Sequence, residues 1–121
     1  MEYQGTWYGM DWTFGEDGTL KISGEYKEEG SLEATPGWVE HIHDVKSVIV
    51  TATNVKSTYG WFCLAKKATS FDFSNFNTSK VVNMAMMFCY CSSLQYVDVS
   101  NFDISQAVDI SEISDIFLEK F

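Results

Sequence analysis

The sequence predicts a repeat fold of the α+β kind: a short solenoid with one strand and one short helix per coil, an N-terminal β-hairpin region before it and a C-terminal capping helix after it. Three observations predict it. One pattern is written twice at a spacing of 26: Ser74-Asn75-Phe76 returns as Ser100-Asn101-Phe102, and Phe62, Cys63, Asp72, Ser79 and Val82 fall on Phe88, Cys89, Asp98, Ser105 and Val108. A fixed period of this length marks units that bury their apolar faces on one another. The N-terminal third carries strand formers punctuated by turn residues, and the last stretch is amphipathic with no strand after it. The boundaries that follow are a β-rich cap over 1–45 and the repeat region over 46–121, joined in one compact domain.

In the cap, Trp12-Thr13-Phe14 and Thr19-Leu20-Lys21-Ile22-Ser23 flank the turn cluster Gly15-Glu16-Asp17-Gly18, with Leu20 and Ile22 on one face. That is a hairpin signature. Gly5-Thr6-Trp7-Tyr8 offers an edge strand, and the Glu- and Gly-rich segment 25–33 reads as a loop. Thr35-Pro36 suits the start of a short helix reaching to about His43, because proline is preorganised for the first helical position. Val45 to Val50 is then a strand. It is the first rung of the repeats, matched to Phe71-Asp72-Phe73 at a shorter spacing of 23.

Leu94, Val97, Val99 and Phe102 approximate the L-x-x-L-x-L spacing of leucine-rich repeats, and Ala68, Phe71, Phe73 and Phe76 hold the same places one coil earlier. The period of two turns Val97 and Val99 inward and Tyr96, Asp98 and Ser100 outward. Asn83 can cap a return helix whose buried face is Met84, Met87 and Phe88, at i, i+3 and i+4. Asp109 to Glu112 resembles a capping box, and Ile110, Ile113, Ile116, Phe117 and Phe121 mark the closing helix. Cys63 and Cys89 share a repeat position. Backbones on the helical side of a coil would lie about 10 Å apart, beyond the roughly 7 Å that a disulfide spans. The expectation is therefore buried free thiols used as apolar filler.

The net charge is -9, with Lys supplying every cation outside the two histidines. So few cations release few counterions from a polyphosphate, which excludes nucleic acid and anionic membrane surfaces as partners. No window is apolar enough to span a bilayer. The first residues, Met1-Glu2-Tyr3-Gln4, lack a basic and then apolar secretory signal, so a full-length native chain would stay inside the cell and an excised domain is left open.

The residues Asn77 to Met84, Met87 to Leu94 and Val97 to Asp103 resemble the BspA-like leucine-rich repeat family, whose unit runs roughly D-L-S-N-F-D-T-S-x-V-x-x-M-x-x-M-F-x-x-C-S-S-L. The similarity is dense over 71–105 and thinner over 48–70, where Trp61, Ala65 and Lys66-Lys67 stand in place of the family's Met, Cys and Ser-Ser. Elements of 12–50 also resemble the β-rich segment that precedes such repeats. The resemblance implies a bacterial surface or secreted protein of the mycoplasma-lipoprotein kind, binding a protein partner, for instance a host extracellular or matrix protein. It implies no catalysis.

The candidate partner-binding residues are the outward strand positions Ser70, Asp72 and Ser74 beside Tyr96, Asp98 and Ser100. The same residues could simply keep an exposed sheet soluble. His41 and His43 are weak metal candidates: on a strand they would share a face and could ligate zinc, on a helix they would not. Trp7, Tyr8, Trp12, Trp38, Tyr59 and Trp61 could line a groove or fill the core. Catalytic motifs are missing: there is no G-x-S-x-G, P-loop or Gly-x-Gly-x-x-Gly. The expectation is a monomeric, cofactor-free, non-enzymatic binding and adhesion module. The alternatives are a structural repeat spacer with no ligand of its own, and a small metal-binding protein using His41 and His43.

Overall fold

The computed structural model describes residues 2–28 and 35–111. Five strands form one mixed sheet in the order β1-β2-β3-β4-β5: β1 Tyr3–Trp7, β2 Met10–Phe14, β3 Thr19–Ser23, β4 Ser47–Val50 and β5 Ser70–Asp72. The first three run as an antiparallel meander. β4 then joins β3 in parallel, and β5 joins β4 in parallel.

The hairpin predicted around Gly15–Gly18 is β2–β3. Gly18 sits at φ +82, in the left-handed region that glycine adopts without a Cβ penalty. Its carbonyl accepts from the N–H groups of Lys46 and Ser47, which seats β4 beside β3. β1 is paired to β2 through the two-residue turn Tyr8-Gly9, where both φ values are positive. This is the turn geometry that matches strand twist, and a tyrosine at its first position hides it from sequence reading. Thr35–Asp44 yields one short 3-10 helix, Val39–Asp44, without a side-chain N-cap.

The 23-residue step from β4 to β5 is observed as expected, with Ser47 opposite Ser70 and Val48 opposite Phe71. The 26-residue step is observed too, in parallel bridges from Ser57 to Asn83 and from Asn83 to Asp109. The three-residue deficit therefore falls between β4 and Ser57, in the corner where later units carry Ser-Asn-Phe.

The expected solenoid with a helix in every coil is overturned. Among the described residues the molecule is mostly sheet and turns, and Val39–Asp44 is the only helix. The return arms over 58–65 and 84–91 are successive turns. Their N–H groups alternate in direction. Trp61, Cys63 and Ala65 donate locally to the carbonyls of Thr58, Gly60 and Phe62, while Thr58, Gly60, Phe62 and Leu64 donate across to Asn83, Ala85, Met87 and Cys89 of the next unit. A helix would need all these donors internally. Residues at +26 positions sit in the left-handed region in pairs, Gly60 with Met86 and Leu64 with Tyr90, which interrupts each arm at two points four residues apart. The spacing of Met84, Met87 and Phe88 still buries all three. An i, i+3, i+4 stripe is thus met by a run of turns as well as by a helix. Of the expected closing helix, Asp109–Ser111 forms a turn, and 112–121 lies outside the described residues.

The second outward row also departs from expectation. Val97 and Val99 are buried and Asp98 is exposed, as the alternation requires, but the stretch 96–100 is not a strand of the sheet. It is tied to the preceding unit by side chains. The Asn101 amide donates to the carbonyls of Phe73 (2.8 Å) and Phe76 (3.1 Å). The buried Thr78 hydroxyl accepts from Asp103 N–H at 2.8 Å and donates to Asp103 C=O at 3.2 Å.

One core runs from Met10 to Val99. The cap and the repeats share it through three tryptophans. Trp38 and Trp61 are fully buried, their rings 5.4 Å apart edge to face, and Trp38 Nε1 donates to Trp61 C=O at 2.8 Å. Trp7 packs on both, and Trp61 stacks on Phe76. Each fully buried aromatic contributes about 1.5–3 kcal/mol over an exposed one.

Candidate functional site

Asp72, Ser74, Asp98 and Ser100 line a common groove of about 380 Å³, with Phe71, Phe73 and Asn101. Residues of both rows line this one groove. Ser70 on β5 and Tyr96 are exposed, and neither lines it. The groove runs on into a shallower trough lined by Asn75, Asn77, Ser79 and Asp103, which shares Ser74 and Asn101 with it. Those residues lay within the repeated motif, and sequence reasoning missed them because Asn and Ser beside Phe look like mere turn punctuation.

The carboxylates have a local task. Asp72 Oδ1 accepts from Ser74 Oγ at 2.6 Å and from Ser74 N–H at 3.0 Å. Asp98 Oδ1 accepts from Ser100 N–H at 2.9 Å. The same two-residue reach recurs at Asn77 to Ser79, Asp103 to Ser105, Asn83 to Ala85 and Asp109 to Ser111. Three columns 26 residues apart, 72/98, 77/103 and 83/109, thus use Asp or Asn interchangeably to close a turn. Ser57 begins the last column one unit earlier, accepting from Tyr59 N–H.

This bonding has an electrostatic result. The Ser74 hydroxyl and N–H hold the Asp72 carboxyl below its usual range, the Ser105 N–H and hydroxyl do so for Asp103, and the Ser111 hydroxyl and N–H for Asp109. These exposed groups stay ionised at neutral pH. They can accept hydrogen bonds from cationic donors, and they are poor general acids.

The two histidines are separated. His41 is packed against Tyr3 (4.3 Å between ring centroids) and Phe14 (5.3 Å), with Nε2 3.4 Å from a Glu40 carboxylate oxygen. His43 is exposed two residues on in the 3-10 helix. Among the described residues no group of three or more His, Cys, Asp or Glu is placed to hold a metal ion. The tryptophans Trp12, Trp38 and Trp61 are core, Trp7 and Tyr8 are partly buried against it, and Tyr59 is exposed. No described helix is long and apolar enough to cross a membrane.

The cysteines correct a further expectation. They are free, but Cys63, Cys89 and Cys91 are half-buried and not fully inside. Cys63 and Cys89 hold matching places in adjacent return arms, and Cys91 Sγ donates to Phe62 C=O at 3.2 Å. Burial pushes the Cys63 thiol up to about 11, with the Cys89 contact adding to it, and burial pushes Cys91 to about 12. As nucleophiles at neutral pH they are weak.

Comparison with curated proteins and with solved structures gives no match. The family model that matches is DUF285, described as a Mycoplasma protein of unknown function, and it covers residues 39–118. The matched span takes in the 3-10 helix, β4, β5, both return arms and the groove. Because that span is well over half of the chain, the protein belongs to the DUF285 family.

Proposed function

We propose that this protein is a non-enzymatic protein-binding module of a surface-type repeat protein, and that it engages its partner through the groove between Asp72 and Asp98. The observation that carries the reading is the convergence of Asp72, Ser74, Asp98 and Ser100 on one groove with apolar Phe71 and Phe73 in its lining. Ionised carboxylates and hydroxyls over an aromatic floor suit a protein segment that presents Lys or Arg beside an apolar side chain. The similarity of 71–105 to adhesin-type repeats makes a host extracellular or matrix protein the partner class to try first. A location at the cell surface goes with this reading.

The test is binding of the whole chain to immobilised matrix proteins. Saturable binding is expected, weakened about tenfold by Asp98→Lys, which reverses the charge. Tyr96→Ala is expected to weaken it less, because Tyr96 is exposed but does not line the groove. Binding unchanged by Asp98→Lys would remove the groove from the mechanism. A second reading, a repeat spacer with no ligand, is favoured by the local use of the same carboxylates in turns. Absence of saturable binding across the panel would select it.

A further inference from the structure

We infer that Cys63 and Cys89 form a disulfide staple between adjacent repeat units when the protein meets a small-molecule disulfide such as oxidised glutathione. The inference rests on the way the return arms stack. Phe62 N–H donates to Met87 C=O at 3.0 Å and Leu64 N–H to Cys89 C=O at 2.7 Å, so Cys63 is flanked on both sides by rungs to the next unit. Backbones joined in this way are about 4.8 Å apart. That lies within the range of Cα separations a disulfide adopts, about 4.4–6.8 Å. A helical arm would have kept the pair out of range; the arm built of turns brings it in. The two cysteines hold the same register position in adjacent arms, 26 residues apart, between those two rungs. Both are half-buried and not fully enclosed, so a small oxidant can reach them.

The chemistry balances in two exchanges. One thiol of the pair, as its thiolate, attacks a sulfur of the small disulfide, forming a mixed disulfide and expelling one small thiolate. The second cysteine then attacks the protein sulfur of that mixed disulfide, closing Cys63–Cys89 and expelling the second small thiolate. The two protons and two electrons lost by the cysteines leave with the two small thiols. Cys91 is not a member of the pair: its place in the repeat matches Ala65, and its thiol donates to the Phe62 carbonyl. The raised thiol pKa of Cys63 makes closure slow at neutral pH, which fits a structural staple and not a rapid sensor. Once closed, the bond ties two points 26 residues apart and limits the unfolded chain accordingly.

The experiment is incubation of the whole native chain with oxidised glutathione, alkylation of remaining thiols, and peptide mapping by mass spectrometry beside thermal unfolding. The expected result is a Cys63–Cys89 cross-linked peptide, a single alkylated thiol at Cys91, and a Tm higher by about 5–15 °C. Cys91→Ser should staple normally, and Cys63→Ser should not. A linkage through Cys91, an intermolecular dimer, a stable glutathione adduct without closure, or a closed pair with unchanged Tm would overturn the inference. Mapping of the wild-type chain decides the matter even if a variant fails to fold.

Discussion

The cap and the repeats solve the same problem, satisfying backbone groups around an aromatic core, by opposite routes. In the cap, strands β1 to β3 pair along their length, and side chains alternate in and out as the pleat dictates. In the repeats β4 and β5 join the sheet, and the units beyond them are held by rungs at alternate residues, side-chain clasps and short turns. A continuous ladder gives rigidity from the main chain alone. A stack of turns depends on particular side chains, Asn101 and Thr78 among them, and on residues that accept left-handed backbone.

Four experiments can break or sharpen this contrast. The largest effect is expected where the two regions meet. Trp61→Ala should cost about 3–5 kcal/mol, because Trp61 is buried among Trp7, Trp38 and Phe76 and its loss leaves a cavity shared by both regions. Chemical denaturation measures it, and a cost below about 1 kcal/mol would mean that the two regions are not mechanically joined there. Next comes Thr78→Val, which removes a buried hydroxyl that both accepts from and donates to Asp103. It should cost about 1–3 kcal/mol through the unpaired Asp103 N–H. A neutral result would show that the side-chain clasp is not what binds one unit to the next.

A gain is expected from Tyr90→Gly. Tyr90 is 72% exposed and held at φ 58. Glycine relieves the left-handed penalty but adds unfolded-chain entropy, so the net is a stabilisation of up to about 1 kcal/mol. Destabilisation would show that the Tyr90 ring matters more than its backbone.

The smallest effect is the acid response of the turns. Asp72, Asp103 and Asp109 have folded pKa values below the usual 3.8. Their contribution is present above the unfolded value and is lost as pH falls from about 4 through the lower folded values. Replacing all three with Asn, which closes the same turn at Asn77 and Asn83, should flatten the fall of Tm with pH in that window without opening the turns. An unchanged slope would assign the acid sensitivity to other carboxylates.

Much of this contrast could be read from the chain, and the part that could not has a physical reason. β2 and β3 were legible because Leu20 and Ile22 alternate across an Asp-Gly turn. The 23-residue register of β4 on β5 was legible because Val48 and Phe71 hold matching places. The return helix was misread because Met84, Met87 and Phe88 satisfy helical spacing, and Leu64, Met86 and Tyr90 give no sign of positive φ in their side chains. Gly60, aligned with Met86, was the one residue type that hinted at it. Asn83 was placed correctly as a residue that accepts a nearby N–H, but the bond to Ala85 starts a turn and not a helix. At the groove, Asp72, Ser74, Asp98 and Ser100 were legible from the period. The clasp that ties one unit to the next was not, since it depends on the side chains of Asn101 and Thr78.

The alternation of donors in the return arm has a consequence for how such a chain can change length. Even-numbered N–H groups from Thr58 to Leu64 reach the neighbouring unit, and the odd-numbered ones between and after them close turns within their own. Removing a single residue would exchange the two sets, sending local donors outward and leaving carbonyls of the next unit unanswered. Loss or gain of two residues would preserve the parity. The arm is therefore quantised: an even change in its length is expected to cost less than an odd one.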